Sequence, residues 1–213
     1  MRNVHKILKP CQINKMRVAE KFRASLATYE ESAKVQNEIA CQLLSYLRGQ
    51  QEADRFIDCL EIGCCTGFLA ERMCTHLSVD TYFGNDIVPE FTELTCQRIE
   101  NRCERVYALP GDIETVELPG SLDLVVSSAT FQWIEDLAGL FTRIAAALSP
   151  GGVLLFSMFG PGTMHEISSL RGSSLDYPTE EELRAMLAGN FVPEWFVTCN
   201  RVLYFDTVRA ILK

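Results

Sequence analysis

Short apolar runs alternate with segments of helical periodicity along most of the chain. Residues 68–77, a segment that starts at Pro89 and residues 137–148 carry apolar side chains at helical spacing, and Ser149-Pro150-Gly151-Gly152 is predicted to end the last of these helices. Five runs beside them predict strands: 56–62, 81–86, 105–109, 122–128 and 153–159. Strands and helices that alternate in this way predict an α/β fold, a mostly parallel sheet with helices on both faces.

Two amphipathic segments precede the alternating pattern. Residues 16–26 and 32–48 place apolar side chains three or four positions apart, and in the second segment these are Ala33, Ile39, Ala40, Leu43, Leu44 and Leu47. The two helices are predicted either to cover a ligand site as a lid or to pack on an edge of the sheet, because both arrangements produce the same periodicity. We therefore divide the chain into a helical N-terminal arm, residues 1–50, and a ligand-binding domain, residues 51–213.

The segment after the first predicted strand, LEIGCCTG at residues 60–67, has the outline of a ligand-binding loop. In parallel sheets the ligand lies beyond the carboxyl ends of the strands, so this loop is the expected floor of a site. Gly63 and Gly67 permit backbone conformations that other residues avoid, and Cys65 stands between them. An ordinary turn from strand to helix has the same pattern, so the loop alone does not predict a function.

Acidic residues lie at the ends of three predicted strands. Glu61 closes the first strand, Asp86 closes the second, and Asp112 in GDIE follows the third. Asp86 has the position of the acid that accepts hydrogen bonds from ribose hydroxyls, about 20 residues after a glycine loop. Asp112 is placed to accept from the amino group of adenine, and Glu61 to bind the loop amides or an ammonium group. One acid at a strand end is usually structural, but three in register predict a nucleotide-cofactor site.

The loop lacks the common phosphate-binding motifs. The third glycine of G-x-G-x-x-G is absent, since Phe68 follows Gly67, and no GK[ST] is present. An acid-rich site without Lys or Arg in its loop suits a cofactor that has no phosphate and carries a positive centre, and S-adenosylmethionine meets both conditions. No metal site is predicted, because the 3 histidines and 9 cysteines form no group with the spacing of zinc ligands.

These motifs carry a family resemblance. LEIGCCTG, the acid of GNDI, GDIE, LDLVVSS and LSPGG resemble the class I S-adenosylmethionine-dependent methyltransferases, which have a Rossmann-like fold, over residues 57–160. Four further stretches are similar more specifically to the malonyl-[acyl-carrier protein] O-methyltransferases of biotin synthesis: VAEKFRASLATYEESAKVQ, VVSSATFQWIEDL, FSMFGPGTMHEI and YPTEEEL.

The resemblance implies two groups of site residues. Tyr29, Gln132 and Trp133 are implied to face the methyl group or the substrate as catalytic residues. The residues implied to bind S-adenosylmethionine, and its product S-adenosylhomocysteine, are Tyr29, Gln36, Glu61, Gly63, Cys64, Cys65, Gly67, Asp86, Ile87, Asp112, Ile113, Ser127 and Ser128.

The chain departs from the family pattern at three places. Cys65 replaces the middle glycine of the loop, so its side chain is predicted to point away from the cofactor. Ser128 stands where related sequences often have asparagine. The chain ends at Lys213 after the strand-like FVTCNRVLYF, whereas the family continues to a final antiparallel strand. That strand is therefore predicted to be missing, with one sheet edge exposed.

Composition and charge limit the partners. Hydrophobic residues make up 47% and charged residues 23% of the chain, as in ordinary globular proteins, and the net charge of −8 argues against nucleic acid. No apolar run approaches the roughly 20 residues of a membrane span. The N-terminus lacks a secretory signal, so we expect a cytoplasmic protein with reduced thiols. Residues 1–23 hold seven basic residues and one acid, and this arm is predicted either to attract an acidic partner or to be simply solvated.

The resemblance also implies the reaction, methyl transfer from S-adenosylmethionine to the free carboxylate of malonyl-[acyl-carrier protein] or malonyl-CoA. A carboxylate with a pKa of about 4 is ionised at pH 7, so no general base is needed. Arg171 is a candidate substrate contact, although a solvated loop arginine is the more common case. Two alternatives stay open: a methyltransferase for another small carboxylic acid, and a cofactor-binding scaffold without activity.

Overall fold

The computed structural model describes residues 13–50, 55–166, 175, 177–204 and 207. Five strands form one sheet in the order β3-β2-β1-β4-β5, and every pairing in it is parallel. The strands are β1 (Arg55–Ile62), β2 (Ser78–Asp86), β3 (Arg105–Pro110), β4 (Leu122–Ser128) and β5 (Leu148–Ser157). The predicted α/β fold with a parallel sheet is confirmed.

Local signals in the sequence start several of the helices. The Asn14 side chain accepts the Arg17 amide at the first helix, and the Asp136 side chain accepts the Gly139 amide before a later one. Pro89 occupies a first turn, where its missing N–H leaves no hydrogen bond unmade. The helices are α1 (Lys15–Ser25), α2 (Tyr29–Ser32), α3 (Lys34–Gln50), α4 (Phe68–His76), α5 (Pro89–Ile99), α6 (Leu137–Ala147) and α7 (Glu180–Leu187).

Apolar side chains fill the space on both faces of the sheet. Leu47 of α3 and Met73 of α4 belong to the core on one face. Phe141 of α6 and Leu183 of α7 belong to the core on the other. Because each fully buried side chain of this kind contributes roughly 1.5–3 kcal/mol, these two layers hold the helices against the sheet. The predicted placement of helices on both faces is confirmed.

The strand order reverses between β1 and β4. From β1 the chain moves outward to β2 and β3, then returns to β4, which pairs with the other side of β1. Loops that follow these two central strands leave the sheet in opposite directions, and ligands of open parallel sheets bind at such a point. The loop after β1 is the glycine loop of residues 63–67.

The N-terminal helices occupy two different places. The apolar face of α3, including Ala40, Leu43 and Leu47, is buried where this helix packs against α4, β4 and β5. Its periodicity therefore reflects packing on the sheet. In contrast, α1 has no buried residue, and its side chains contact loops at the carboxyl edge of the sheet. A lid role for α1 and the division of the chain at residue 50 stay predictions.

The predicted boundary between α6 and β5 is wrong. The helix ends at Ala147, and Leu148 already pairs with Leu122 of β4. Ser149-Pro150-Gly151-Gly152 therefore lies within the bounds of β5, where the register shifts before Val153 pairs with Leu124. Proline and glycine interrupt the pairing locally, but the strand resumes because the apolar residues that follow are held between β4 and the helices.

The C-terminal described segment is less regular than its sequence predicts. Residues 191–204 form no helix or strand, so the strand-like pattern of 196–205 gives no strand in its described part. Val202, Leu203 and Tyr204 are exposed and belong to none of the five strands of the described sheet. The predicted loss of a final antiparallel strand stays a prediction, and Arg171 lies outside the described residues.

Three further observations on the described residues concern the cysteines, membrane spans and metal sites. The described cysteines are free thiols, and Cys74 and Cys103 are packed with their sulfur atoms 3.3 Å apart. Within the same residues, no helix has both the length and the apolar character needed to cross a membrane. The described residues also contain no group of three or more His, Cys, Asp or Glu side chains arranged to hold a metal ion.

Candidate functional site

Gly63 and Gly67 hold the loop after β1 in a conformation that few other residues adopt, with φ values of +76° and +82°. The amides of Gly63 and Cys64 both donate to the Asn85 carbonyl oxygen of β2, at 2.8 and 2.9 Å. A Cβ atom on Gly63 would lie 2.1 Å from Thr130 Oγ1. The loop is therefore pressed against β2 on one side and against the loop after β4 on the other.

Cys65 stands in the middle of this loop with a φ of +48°, again in the left-handed region. That conformation costs a non-glycine residue on the order of 1–3 kcal/mol, which is the physical reason that glycine suits the position. The Cys65 thiol lies close to the Tyr29 hydroxyl, and burial raises the pKa of both groups. The orientation of Cys65 away from a cofactor stays a prediction.

Asp86 joins the glycine loop to the end of β2. Its Oδ2 accepts the Cys65 amide at 3.0 Å, and its Oδ1 accepts the Val88 amide at 2.9 Å. Burial raises the pKa of Asp86 to about 6, although the backbone hydrogen bonds act in the opposite direction. Each carboxylate oxygen accepts more than one hydrogen bond, so Asp86 retains capacity for the hydroxyl groups of a ligand.

Glu61 is buried at the end of β1, directly before the loop. The Tyr82 hydroxyl donates to its Oε2 at 2.7 Å. Burial raises the pKa of Glu61 to about 8, the hydrogen bond from Tyr82 lowers it, and the nearby charge of Asp86 raises it further. Two buried carboxyl groups with raised pKa values mark a place where a ligand with a positive charge would be stabilised.

Asp112 lies beside Asp86, because the Gly111 amide donates to the Asp86 carbonyl oxygen at 2.8 Å. The Lys15 ammonium group of α1 contacts both of its carboxylate oxygens, at 2.8 and 2.7 Å, and also binds Glu114. Burial disfavours the charge of Lys15, but these hydrogen bonds outweigh it and raise the pKa. The predicted acid is therefore present at the third strand end, and it is paired with a cation.

The loop after β4 closes the other side of the site. Ser127 donates to the Ile62 carbonyl oxygen at 2.9 Å, and the hydroxyls of Ser128 and Ser157 lie 3.3 Å apart. The Gln132 side chain is buried, and its Nε2 donates to the Ala129 carbonyl oxygen at 2.6 Å. Its Oε1 has no hydrogen-bond partner among the described residues. A buried amide oxygen that accepts no hydrogen bond is unfavourable, so Oε1 of Gln132 is available to accept a hydrogen bond from a ligand.

Aromatic rings connect this loop to the N-terminal arm. Trp133 packs edge-on against Phe22 of α1, with ring centroids 5.9 Å apart. Phe22 also contacts Tyr29, whose ring lies 6.1 Å from that of Phe91. The structure therefore brings Tyr29 and Trp133 together through Phe22.

Not every predicted site residue joins this group. Ile113 is buried beside Asp112, and Ile87 is half-buried after Asp86. Gln36 lies near the start of α3, where no described hydrogen bond connects it to the glycine loop. The roles assigned to these residues stay predictions.

Several residues of the site were not predicted in these roles. Thr130 limits the space above Gly63, Tyr82 binds Glu61, and Glu114 shares the ammonium group of Lys15. The sequence contains one signal for the contact between Lys15 and Glu114. Lys15 lies seven positions before Phe22, and residues seven apart share a face of a helix, so both side chains could reach the same side of the molecule. The other contacts join segments that only the fold brings together.

The ligand-free protein is expected to lose stability as the pH rises from about 4, the ordinary pKa of a carboxyl group, to about 8. Burial raises the pKa of Asp86 to about 6 and the pKa of Glu61 to about 8. The folded state holds these protons more tightly than the unfolded state does, so the stabilisation is complete below the unfolded pKa values and is lost as each folded pKa is passed. The expected loss is on the order of a few kcal/mol.

Thermal unfolding at intervals of pH measures this loss, and Glu61→Gln should remove its upper part. Acids whose pKa is lowered, such as Glu114, change stability only at lower pH. A melting temperature that stays constant or rises between pH 6 and 8 would contradict the raised pKa of Glu61.

Comparison with known proteins identifies relatives of this arrangement. Residues 60–156 match the family described as "Methyltransferase domain". A malonyl-[acyl-carrier protein] O-methyltransferase of Prosthecochloris aestuarii is 36% identical over 209 residues, which cover 95% of this chain and 76% of the relative. The protein of the same name from Chlorobium phaeovibrioides is 38% identical, with coverage of 93% and 77%.

Solved structures confirm the fold class. The N-methyltransferase NodS of Bradyrhizobium japonicum, in complex with S-adenosylhomocysteine, matches with a TM-score of 0.59 and 21% identity, covering 70% of this chain and 77% of NodS. Phosphoethanolamine N-methyltransferase 2 of Haemonchus contortus, solved with phosphomonomethylethanolamine and S-adenosylhomocysteine, matches with a TM-score of 0.53 and 25% identity, covering 68% of this chain and 35% of that one. Together with the match to the methyltransferase domain and the similar relatives, they confirm the class I methyltransferase resemblance and the S-adenosylmethionine cofactor.

Proposed function

Because the chain belongs to the malonyl-[acyl-carrier protein] O-methyltransferase family, we propose that it methylates the free carboxylate of a malonyl thioester held by an acyl-carrier protein. The products are the methyl ester and S-adenosylhomocysteine, and the reaction belongs to an early stage of biotin synthesis. The observation that carries the proposal is that Glu61, Asp86 and Asp112 lie together around the glycine loop. The similarity of the chain to these relatives supports the choice of acceptor.

The residues of the site fit the cofactor. S-adenosylmethionine supplies an electrophilic methyl group on a positively charged sulfur. Asp86 would accept hydrogen bonds from the ribose hydroxyls, and Asp112 from the adenine amino group. Glu61, whose pKa is raised to about 8, would gain a stabilised negative charge beside the ammonium group of the methionine portion. The loop of residues 63–67 contains no side-chain cation that would repel these positive groups.

Binding of both substrates in line is the main contribution proposed for the protein. The malonyl carboxylate is ionised at pH 7, so no residue needs to remove a proton from it. Tyr29, Gln132 and Trp133 would confine the carboxylate beside the methyl group and exclude water. Fixing two reactants in a reactive orientation can contribute roughly 7–11 kcal/mol to lowering the barrier.

The outer face of α1 offers a contact surface to an acidic carrier protein. Met16, Arg17 and Lys21 are exposed, while the rest of the chain is strongly acidic and would repel such a partner. Lys15 belongs to a different group, because Asp112 and Glu114 already hold it. Lys6 and Lys9, which the sequence also assigns to this arm, lie outside the described residues. The free thiols of the described residues suit the reducing cytoplasm, where we place the reaction.

Mass spectrometry of a malonylated carrier protein tests the proposal. Incubation with S-adenosylmethionine should add the mass of one methylene group, and alkaline hydrolysis should remove it, as expected for a methyl ester. The rate should fall as added salt screens the attraction between the carrier and α1. Malonyl-CoA and a series of small carboxylic acids serve as parallel acceptors. Turnover of another acid with none on either malonyl thioester would reject the acceptor, and no turnover on any acid would favour a silent scaffold.

A further inference from the structure

One face of α1 contacts two separate loops at the carboxyl edge of the sheet. Lys15, in its first turn, contacts Asp112 and Glu114 in the loop after β3. Phe22, two turns later on the same face, packs against Trp133 in the loop after β4. The helix therefore spans the edge at which the cofactor residues meet, with a polar contact at one end and an aromatic contact at the other.

Glu114 extends the polar contact to the second loop. Its carboxylate accepts the Asp136 amide at 2.8 Å and the Glu135 amide at 3.1 Å, directly after the Gln132–Trp133 segment. Burial disfavours its charge, but Lys15 and these amides outweigh that effect and hold the pKa of Glu114 below its ordinary value. One ammonium group is thus connected to both loops, since the Glu114 carboxylate that it binds also accepts the backbone amides of Glu135 and Asp136.

The contact between Lys15 and the two carboxylates is only partly accessible to solvent, so solvent screens it only in part. The exposed fractions of the Lys15, Asp112 and Glu114 side chains are 20%, 27% and 16%. Without Lys15, two carboxylates that now share one cation would repel each other at short distance. The most direct relief of that repulsion is movement of the loop after β3, together with Asp112.

We propose that Lys15 is a positioning residue, which fastens α1 over the cofactor site and fixes Asp112 and the Gln132–Trp133 segment in their working places. The inference rests on the proposed function for the identity of the cofactor. Lys15 is therefore not one of the cations proposed to attract a carrier protein, and its role lies in cofactor binding. The lid interpretation of the N-terminal arm then applies to α1, while α3 belongs to the packed domain.

Tryptophan fluorescence reports on α1 directly, because Trp133 lies under Phe22. The protein contains two tryptophans, and Trp195 packs against Tyr46 with ring centroids 4.7 Å apart, so Trp195→Phe leaves Trp133 as the reporter. In this background Lys15→Met should shift the emission of Trp133 to longer wavelength, because the undocked helix exposes the indole to water. Lys15→Arg should restore most of the parent spectrum, and high salt should move the parent towards the Met variant.

Kinetics give the second readout. Lys15→Met should raise the KM for S-adenosylmethionine about tenfold, as expected for the loss of a hydrogen-bonded charge pair. The fall in kcat should be smaller, because the Glu114 carboxylate still holds the backbone that follows Gln132 and Trp133. Lys34→Met is the matched control, because Lys34 is exposed at the start of α3 and has no ion pair among the described residues. If Lys15→Met does not fold, Glu114→Gln removes the part of the attraction that connects Lys15 to the loop after β4, keeps the size of the side chain and leaves the contact with Asp112 in place.

The two readouts separate the inference from the proposed function. Emission and KM values of the Lys15 or Glu114 variant that match those of Lys34→Met would overturn the role of Lys15. A shifted emission together with no methyl transfer to any malonyl thioester, even in the parent, would instead reject the proposed acceptor while α1 remained fastened by Lys15.

Discussion

Asp86→Ala is expected to weaken the binding of S-adenosylhomocysteine by roughly 5- to 150-fold, equivalent to 1–3 kcal/mol. The carboxylate accepts hydrogen bonds from the amides of Cys65, which is half-buried, and Val88, which is buried. Alanine leaves these amides without an acceptor, which loosens the glycine loop, and it also removes the proposed acceptor for the ribose hydroxyls. Isothermal calorimetry with S-adenosylhomocysteine measures the loss without depending on an acceptor substrate.

Asp123→Ala is a matched control for this substitution. Asp123 also accepts two backbone amides, those of Ile57 and Asp58, at 2.9 and 3.1 Å. It lies near the start of β4, at the opposite edge of the sheet from the glycine loop. Both variants should lower the melting temperature, but only Asp86→Ala should change the affinity. Equal affinities for the parent and Asp86→Ala would mean that the acids at the strand ends do not hold the cofactor.

The sequence was sufficient to predict these acids because of a general property of parallel sheets. Strands that run in the same direction end at the same edge, so Glu61, Asp86 and Asp112 had to lie near one another once the strands were identified. The glycine loop was predictable for a similar reason, since a tight turn at the central strand needs residues that tolerate positive φ. Both inferences depend on local pattern and sheet direction alone.

Contacts between distant segments could not be predicted in the same way. Lys15 and Asp112 are 97 positions apart, and the charge of Lys15 is equally compatible with solvent or with an acidic partner. The pairing of Tyr82 with Glu61 has the same character, because a tyrosine in a buried strand is usually core packing. The predicted start of β5 is wrong because proline and glycine normally end a strand pairing, whereas here the register shifts and the pairing continues.

Cys65 replaces the glycine of the family pattern, and this replacement places backbone strain in the cofactor loop. Its φ of +48° means that the chain holds a side chain in a conformation that glycine adopts freely. The surrounding contacts oppose relaxation, since its amide is bound by Asp86 and its carbonyl oxygen accepts the Thr95 hydroxyl at 2.9 Å. The strain is therefore held by the same hydrogen bonds that shape the cofactor loop.

Gly63→Ala is expected to destabilise the folded protein by about 2–5 kcal/mol. A Cβ at this position would lie 2.1 Å from Oγ1 and 2.9 Å from Cβ of Thr130, and the φ of +76° adds strain to any residue with a side chain. Overpacking contributes roughly 1–3 kcal/mol and the left-handed conformation about 1–2 kcal/mol. For a protein of this size the melting temperature should fall by about 5–15 °C.

Gly151→Ala separates the two parts of this loss. Gly151 has a similar φ of +83°, but a Cβ there would meet no atom within 4 Å, so only the conformational strain applies. Gly63→Ala should therefore lower the melting temperature more than Gly151→Ala does. It should also reduce methyl transfer in conditions where the protein is still folded, because displacement of Thr130 moves the segment that carries Gln132 and Trp133. Equal losses of stability in the two variants, with unchanged turnover in both, would contradict this prediction. They would show that the loop after β4 does not pack against Gly63.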